Sequence, residues 1–262
     1  MKIMFAIVMS LLGLFADGQA LKMHNSTPIN DGEVLEFRLS YGWFTVGRAK
    51  WTTNVVDYEG DECYKARVTA KSSGLLGVFA KVDDEWGEYA RTDDFMPKMA
   101  WRDLEEGKYI LDEKTYFDYD NMKIKYDKTR KGVVKPTKYM DIEQARVGML
   151  GGFMQMRSVD YSQYKVGDVI KVEAFFEGEP YDVEVVLKGK EKFRSKVGRI
   201  MAYKIVPRLP ENRLFPGKDP ITMWVSADKN QLPLRADARM SFGTAYVELT
   251  GYKNVKFGPD YD

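Results

Sequence analysis

The chain has 262 residues, 44% of them hydrophobic and 30% charged, enough to bury a substantial core without disulfides or metals. Forty basic residues against thirty-nine acidic ones leave a formal charge of +1. No global field therefore draws the protein to nucleic acid or to anionic lipid, and nucleic-acid binding is not expected.

The first residues, MKIMFAIVMSLLGLFADGQA, combine Lys2, an apolar run from Ile3 to Phe15, and small residues at Ala16, Gly18 and Ala20. These are the parts of a secretory signal peptide over residues 1–20, with a mature chain starting near Gln19 or Leu21. The run is shorter than the roughly 20 apolar residues of a spanning helix, and no later stretch is long or apolar enough to cross a bilayer. No cysteine follows the run, so a lipid-anchored form is not expected. The sequence predicts a periplasmic or secreted protein of the cell envelope.

His24, the sole histidine, lies in the polar segment HNSTPIND, read as a mobile tail. Past residue 30 the dominant signal is period two, the mark of strands with one buried face. In EVLEFRLSY, Leu35, Phe37, Leu39 and Tyr41 share one face; in YKARVTAK, Tyr64, Ala66, Val68 and Ala70 do. YDVEVVLKGK, MAYKIVPR, LRADARM and AYVELTGY follow less strictly. Such alternation suits antiparallel sheet rather than parallel strands buried on both faces. Cys63, the only cysteine, sits in one of these runs as a small core residue and can form no internal disulfide.

DIEQARVGMLGGFMQMRSVD departs from period two. Asp141 can cap a helix, Gln144 follows at capping-box spacing, and Ile142, Ala145, Met149, Phe153 and Met156 recur at helical spacing. One or two short helices, broken near Gly151 and Gly152, are expected near 141–157. Their Met and Phe stripe either packs on the sheet or lines a lipid pocket.

The segments on either side of this insert resemble each other. Gly32 and Gly167, Tyr64 and Tyr203, Trp86 and Trp224, and Pro97 and Pro233 are separated by 135 to 139 residues in the same order. Two readings stay open: an internal duplication of about 31–130 and 160–258, or chance matches among strands of common composition.

Three blocks carry a resemblance to a known family: GEVLEFRLSYGWFTVGRAKW, MQMRSVDYSQYKVGDVI and WVSADKNQLPLRADARMSFGTAYVEL. Together they resemble DUF3108, a family of exported bacterial proteins of unknown function. The central block departs from it, with Met154, Gln155 and Met156 where the family more often shows tyrosines before the arginine, here Arg157. The resemblance implies a secreted or periplasmic β-rich protein and carries no enzymatic assignment.

Catalytic signals are sparse. There is no HExxH, paired CxxC, EF-hand or Walker pattern. The densest carboxylate set is Asp83, Asp84 and Glu85, followed by Glu88 and by Asp93 and Asp94, with Trp86, Trp101 and Tyr89 nearby, and a glycosidase needs two carboxylates ~5 to 9 Å apart with aromatic platforms. Neighbours on a strand point to opposite faces, however, so Asp83 and Asp84 are not expected to converge. In YGWF, Gly42 breaks the strand and re-aims Trp43 either towards a ligand cavity or, with Trp51, into the core. The proline-rich loop from Leu209 to Pro220 either recognises a partner or only connects strands.

The expected architecture is mainly β: a strongly curved antiparallel sheet or half-open barrel, with a short helical insert, residues 21–262 forming one domain. The leading function is non-enzymatic binding of an apolar or amphipathic ligand, or of an envelope component, in the concavity. The alternatives are a glycan-binding or glycan-cleaving protein using carboxylates and tryptophans, and a structural partner in an envelope complex. No catalytic residue, cofactor or metal ligand is assigned. Trp43, Trp51, Trp86 and Trp101 are the candidate ligand-binding residues.

Overall fold

The period-two pattern is realised as one continuous antiparallel sheet of fifteen strands. The computed structural model describes residues 21–73, 81–208 and 219–258; residues 1–20, on which the signal-peptide expectation falls, and residues 209–218 of the proline-rich loop lie outside them. The chain first runs through β1 (Glu33–Tyr41), β2 (Phe44–Tyr58), β3 (Asp61–Ser72), β4 (Val82–Arg91), β5 (Pro97–Glu106), β6 (Tyr109–Asp118) and β7 (Lys123–Arg130). Two short strands follow, β8 (Val133–Val134) and β9 (Lys138–Asp141), both paired with β7. After helix α1 (Met149–Ser158) and a 3-10 turn at Tyr161–Gln163 come β10 (Val169–Phe176), β11 (Glu179–Arg194), β12 (Arg199–Pro207), β13 (Ile221–Ser226), β14 (Pro233–Met240) and β15 (Gly243–Lys253). β15 pairs with β1, so the order runs from β10 through β15 and β1 to β8.

The predicted faces are the observed ones. Leu35 is paired with Trp51, Trp51 with Val68, Val68 with Trp86, Trp86 with Arg102, and Arg102 with Glu113. This row crosses the concave face of six strands. One row along, Ala66 and Ala100 flank Glu88; side chains this small leave space above the sheet, and α1 fills it.

Leu150 and Met154 of α1 are buried in a cluster with Leu35, Trp51, Tyr64 and Phe95 from one part of the sheet and Ile200 and Leu234 from the other. Burying these two side chains contributes about 1.5–3 kcal/mol each, which outweighs the roughly 1 kcal/mol each that Gly151 and Gly152 cost inside a helix. The two glycines therefore stay helical, in one helix rather than two, and Asp141 ends β9 instead of capping. The HNSTPIND segment is docked rather than a free tail. His24 N–H donates to Ser158 O at 2.8 Å, Met23 bridges to Val159, and Ile29 is buried.

β10 curls over the concave face of the far strands. Phe175 meets Phe117 edge-on with ring centroids 5.8 Å apart, and Arg102 donates to Glu177 in the β10–β11 turn. The free edge of β10 is bonded to Val147, not to another strand of the sheet, so the roll overlaps without closing into a barrel.

β1–β6 and β10–β15 are two six-stranded meanders of matching design. Each has a two-residue first turn, a long second strand of 15 or 16 residues, and a long third connection. In each fourth turn a left-handed residue stands two places before a proline, Phe95 (φ 64°) before Pro97 and Gln231 (φ 47°) before Pro233. Both turns close with a 2.9 Å backbone bond, Arg91 N–H to Met96 O and Ser226 N–H to Leu232 O.

Candidate functional site

The helix inside the roll is held at both ends by side chains from the sheet. Its N-cap, Gly148, supplies no capping side chain. Glu88 of β4 does so instead, accepting the N–H groups of Leu150 and Gly151, both at 3.0 Å. A carboxyl group at this end satisfies two of the helix's orphan donors. Gly148 and Gly151 permit the approach, since a Cβ on either would stand 2.3 or 2.6 Å from the carboxylate.

At the C-terminal end, the Gln231 amide donates to the carbonyls of Arg157 and Val159. Arg157 itself makes a two-point ion pair with Glu33, at 2.6 and 3.0 Å, and donates to Asn230 O at 3.1 Å. Glu33 and Arg157 are 1% and 4% exposed, so each charge depends on the other. Phe95 and Gln231, equivalent positions of the two meanders, thus bear on the helix: the carbonyl of Phe95 lies beside Gly151, and Gln231 holds the last turn.

Beside the helix start lies a cavity of about 30 Å³, lined by Trp86, Glu88, Arg102, Glu113, Met149 and Phe175 among others. That is the space of about one water. A buried charge network forms its wall: Arg102 donates to Glu113 and Glu177, Tyr126 donates to Glu113, and Lys128 stands 2.7 Å from Glu113. Burial opposes the charge of Glu113, but Arg102, Lys128 and Tyr126 together hold its carboxyl below the usual range.

Two carboxyls behave oppositely. Glu88 has no cation beside it, and burial, opposed by its two N–H partners, pushes it up to about 8. Asp84 is pushed up to about 7, first by burial and then by the charge of Glu106. One oxygen of each of Asp84 and Glu106 has no hydrogen-bond partner among the described residues.

The four candidate tryptophans do not share one surface. Trp51 and Trp86 face the concave interior, where Trp51 packs edge-on to Phe153 with centroids 6.2 Å apart. Trp43 is 91% exposed, in the β1–β2 turn at the rim. Trp101 lies on the convex face over Gly87, whose Cβ would fall 1.9 Å from its ring. There its indole N–H donates to Glu85 at 3.0 Å, and it continues a ladder with Tyr89 and Tyr58, Tyr58 and Tyr89 stacking at 4.0 Å. Asp84 and Glu88 point inward, while Asp83 and Glu85 bond to Lys71 and Arg67 outside, so the four carboxylates split between faces. Cys63 is buried, and burial raises its thiol pKa. No group of three or more His, Cys, Asp or Glu among the described residues is placed to hold a metal.

The sequence reading missed the roles of Glu33, Arg102, Glu113 and Gln231. A signal was there for two of them: Arg102 stands in phase with the inward Ala100 and Leu104, and Glu113 in phase with Leu111 and Thr115. A charge at an inward position of an alternating strand demands a buried partner.

A crystal structure of a β-barrel-like protein of domain of unknown function DUF1849 from Brucella abortus is similar to the fold. It has a TM-score of 0.57 and 8% identity, and the match covers 91% of this chain and 100% of that one. A protein from Parabacteroides distasonis matches at TM-score 0.30 and 10% identity, over 88% of this chain and 100% of that one, too low to carry an argument. No curated protein matches the chain. Residues 36–250 match the family described as "Protein of unknown function (DUF3108)", and the chain belongs to that family.

Proposed function

We propose that the protein is an exported cell-envelope component that acts by binding rather than catalysis. It is built from a duplicated six-strand meander and takes an apolar or amphipathic ligand into the concavity of its sheet. One observation carries this reading: the concavity holds a short helix fixed by a few polar anchors at its ends and by apolar contacts along its length. With a cavity of about 30 Å³ beside it, an acyl chain takes the place of α1 rather than entering an existing void. α1 keeps its place through these anchors and contacts, not through helix stability of its own. At 10 residues with two internal glycines, it is below the ~12–15 residues at which an isolated helix becomes marginally stable. Organic extraction of the purified protein, followed by titration with a fluorescent fatty acid, tests the proposal. A co-purifying lipid or saturable uptake supports it; a lipid-free protein that takes up no probe contradicts it.

The convex ladder of Tyr58, Tyr89 and Trp101, with Glu85 on the indole N–H, favours a second reading, glycan binding on the outer face. Retention on a glycan array that Trp101→Ala abolishes supports it, and an array without retention counts against it.

A further inference from the structure

An antiparallel meander sends its turns alternately to two rims, and the two rims here differ in chemistry. One carries the turns Gly42–Trp43, Gly107–Lys108, Lys131–Gly132 and Ser241–Phe242, none of which holds a carboxylate. The other carries Glu59, Asp93, Asp94, Asp120 and Asp228 in its turns, against Lys196 and Lys229. The first rim is not free of acid, since Glu105 and Glu106 stand just before Gly107 and Asp219 lies in the connection from β12 to β13, but these four turns themselves carry only basic charge. The turn Glu177–Gly178 also runs towards the first rim but is folded onto the concave face, where Glu177 meets Arg102.

Most of the large exposed apolar side chains among the described residues lie on the first rim, Tyr139 on β9 and Val166 before β10 being the exceptions. Trp43 (91%), Phe44 (66%), Phe242 (84%), Ile110 (49%), Val133 (56%) and Val134 (77%) all stand in or next to turns of the first rim. The aromatic tips are braced together: the Tyr41 hydroxyl donates to Phe242 O, and Gly42 N–H donates to Thr244 O at 2.9 Å. Ordinary folding buries such rings. With ~150–250 Å² per ring, Trp43, Phe44 and Phe242 together present about 500 Å², below the ~800 Å² per partner of a stable protein interface. Protruding aromatics on a rim whose other turns carry Lys108 and Lys131 instead match a bilayer's headgroup region.

We infer that this rim docks on an anionic lipid bilayer, with Trp43, Phe44 and Phe242 entering the headgroup region and Lys108 and Lys131 meeting lipid phosphates. The inference goes beyond the interior-ligand reading and fails or stands independently of it, since the variants that test it leave the concavity untouched.

The test is co-sedimentation of the purified full-length chain with phosphatidylglycerol–phosphatidylethanolamine vesicles and with phosphatidylcholine vesicles. Every variant keeps the N-terminal segment constant. The expected result is binding to the anionic vesicles, weakened at least tenfold by Trp43→Ser with Phe242→Ser and by Lys108→Glu with Lys131→Glu, and unchanged by Lys196→Glu. A blue shift of tryptophan emission on binding is expected to disappear in Trp43→Phe. Wild-type protein that stays in the supernatant, equal binding to phosphatidylcholine, or binding that survives either pair of substitutions overturns the inference. So do tip substitutions that instead change the self-association of lipid-free protein, which mark the rim as a protein interface.

Discussion

Glu88 accepts the backbone N–H of Gly151 at 3.0 Å from a strand 63 residues earlier, so the wall of the sheet, not the helix's own flank, closes the first turn of α1. The arrangement places a carboxyl group in the interior without a cation beside it.

That placement makes stability depend on pH. Glu88 rises from 4.5 to about 8 on folding and Asp84 from 3.8 to about 7. Across these windows the folded chain keeps protons that the unfolded chain has released, so stability falls as pH rises. The contribution of the protonated groups is complete below the unfolded values and exhausted above about 8. Thermal melts of wild type and Glu88→Gln are expected to converge or cross as pH is raised through this window, the wild type losing stability relative to the variant. Asp84→Asn is expected to shift the same comparison to lower pH. A difference between wild type and Glu88→Gln that does not change with pH contradicts the assignment.

Adjacent glycines of α1 are predicted to respond with opposite signs. A Cβ at Gly152 meets only Val147 and Val172 at 3.4 and 3.5 Å, whereas one at Gly151 falls 2.6 Å from both Glu88 and Phe95 O. Urea denaturation of Gly152→Ala is expected to show a gain of up to about 1 kcal/mol from helix propensity. Gly151→Ala is expected to lose about 1–3 kcal/mol as the Glu88 bonds break.

Removing one member of the buried Glu33–Arg157 pair leaves the other charge uncompensated. Arg157→Met alone is expected to cost about 3–5 kcal/mol, and pairing it with Glu33→Gln to restore a large part. Equal losses in the single and double variants, measured in a denaturant double-mutant cycle, contradict a mutual dependence.

Much of this fold is legible in the sequence because alternation is local: Leu35, Phe37 and Leu39, or Tyr64, Ala66 and Val68, declare their face within a few residues. The helical insert is legible too, but not its start. Asp141 has the chemistry of a cap, yet β7 offers it a ladder partner at Lys123, and the cap that α1 uses comes from Glu88. Nor does local pattern reveal that HNSTPIND is docked, since Ile29 gains its burial only from strands that meet after the roll has formed. Trp43 misleads for the opposite reason: an aromatic flanking strand residues reads as core, while Gly42 (φ 56°) opens a turn that carries it out to the rim.

Hydrogen exchange of the α1 amides, Leu150 to Ser158, with and without a saturating long-chain fatty acid, tests most directly whether the helix yields its place to a ligand. The fatty acid is expected to strip protection from α1 while β1 and β4 keep theirs. Unchanged or increased protection of α1 in the presence of the fatty acid would contradict it.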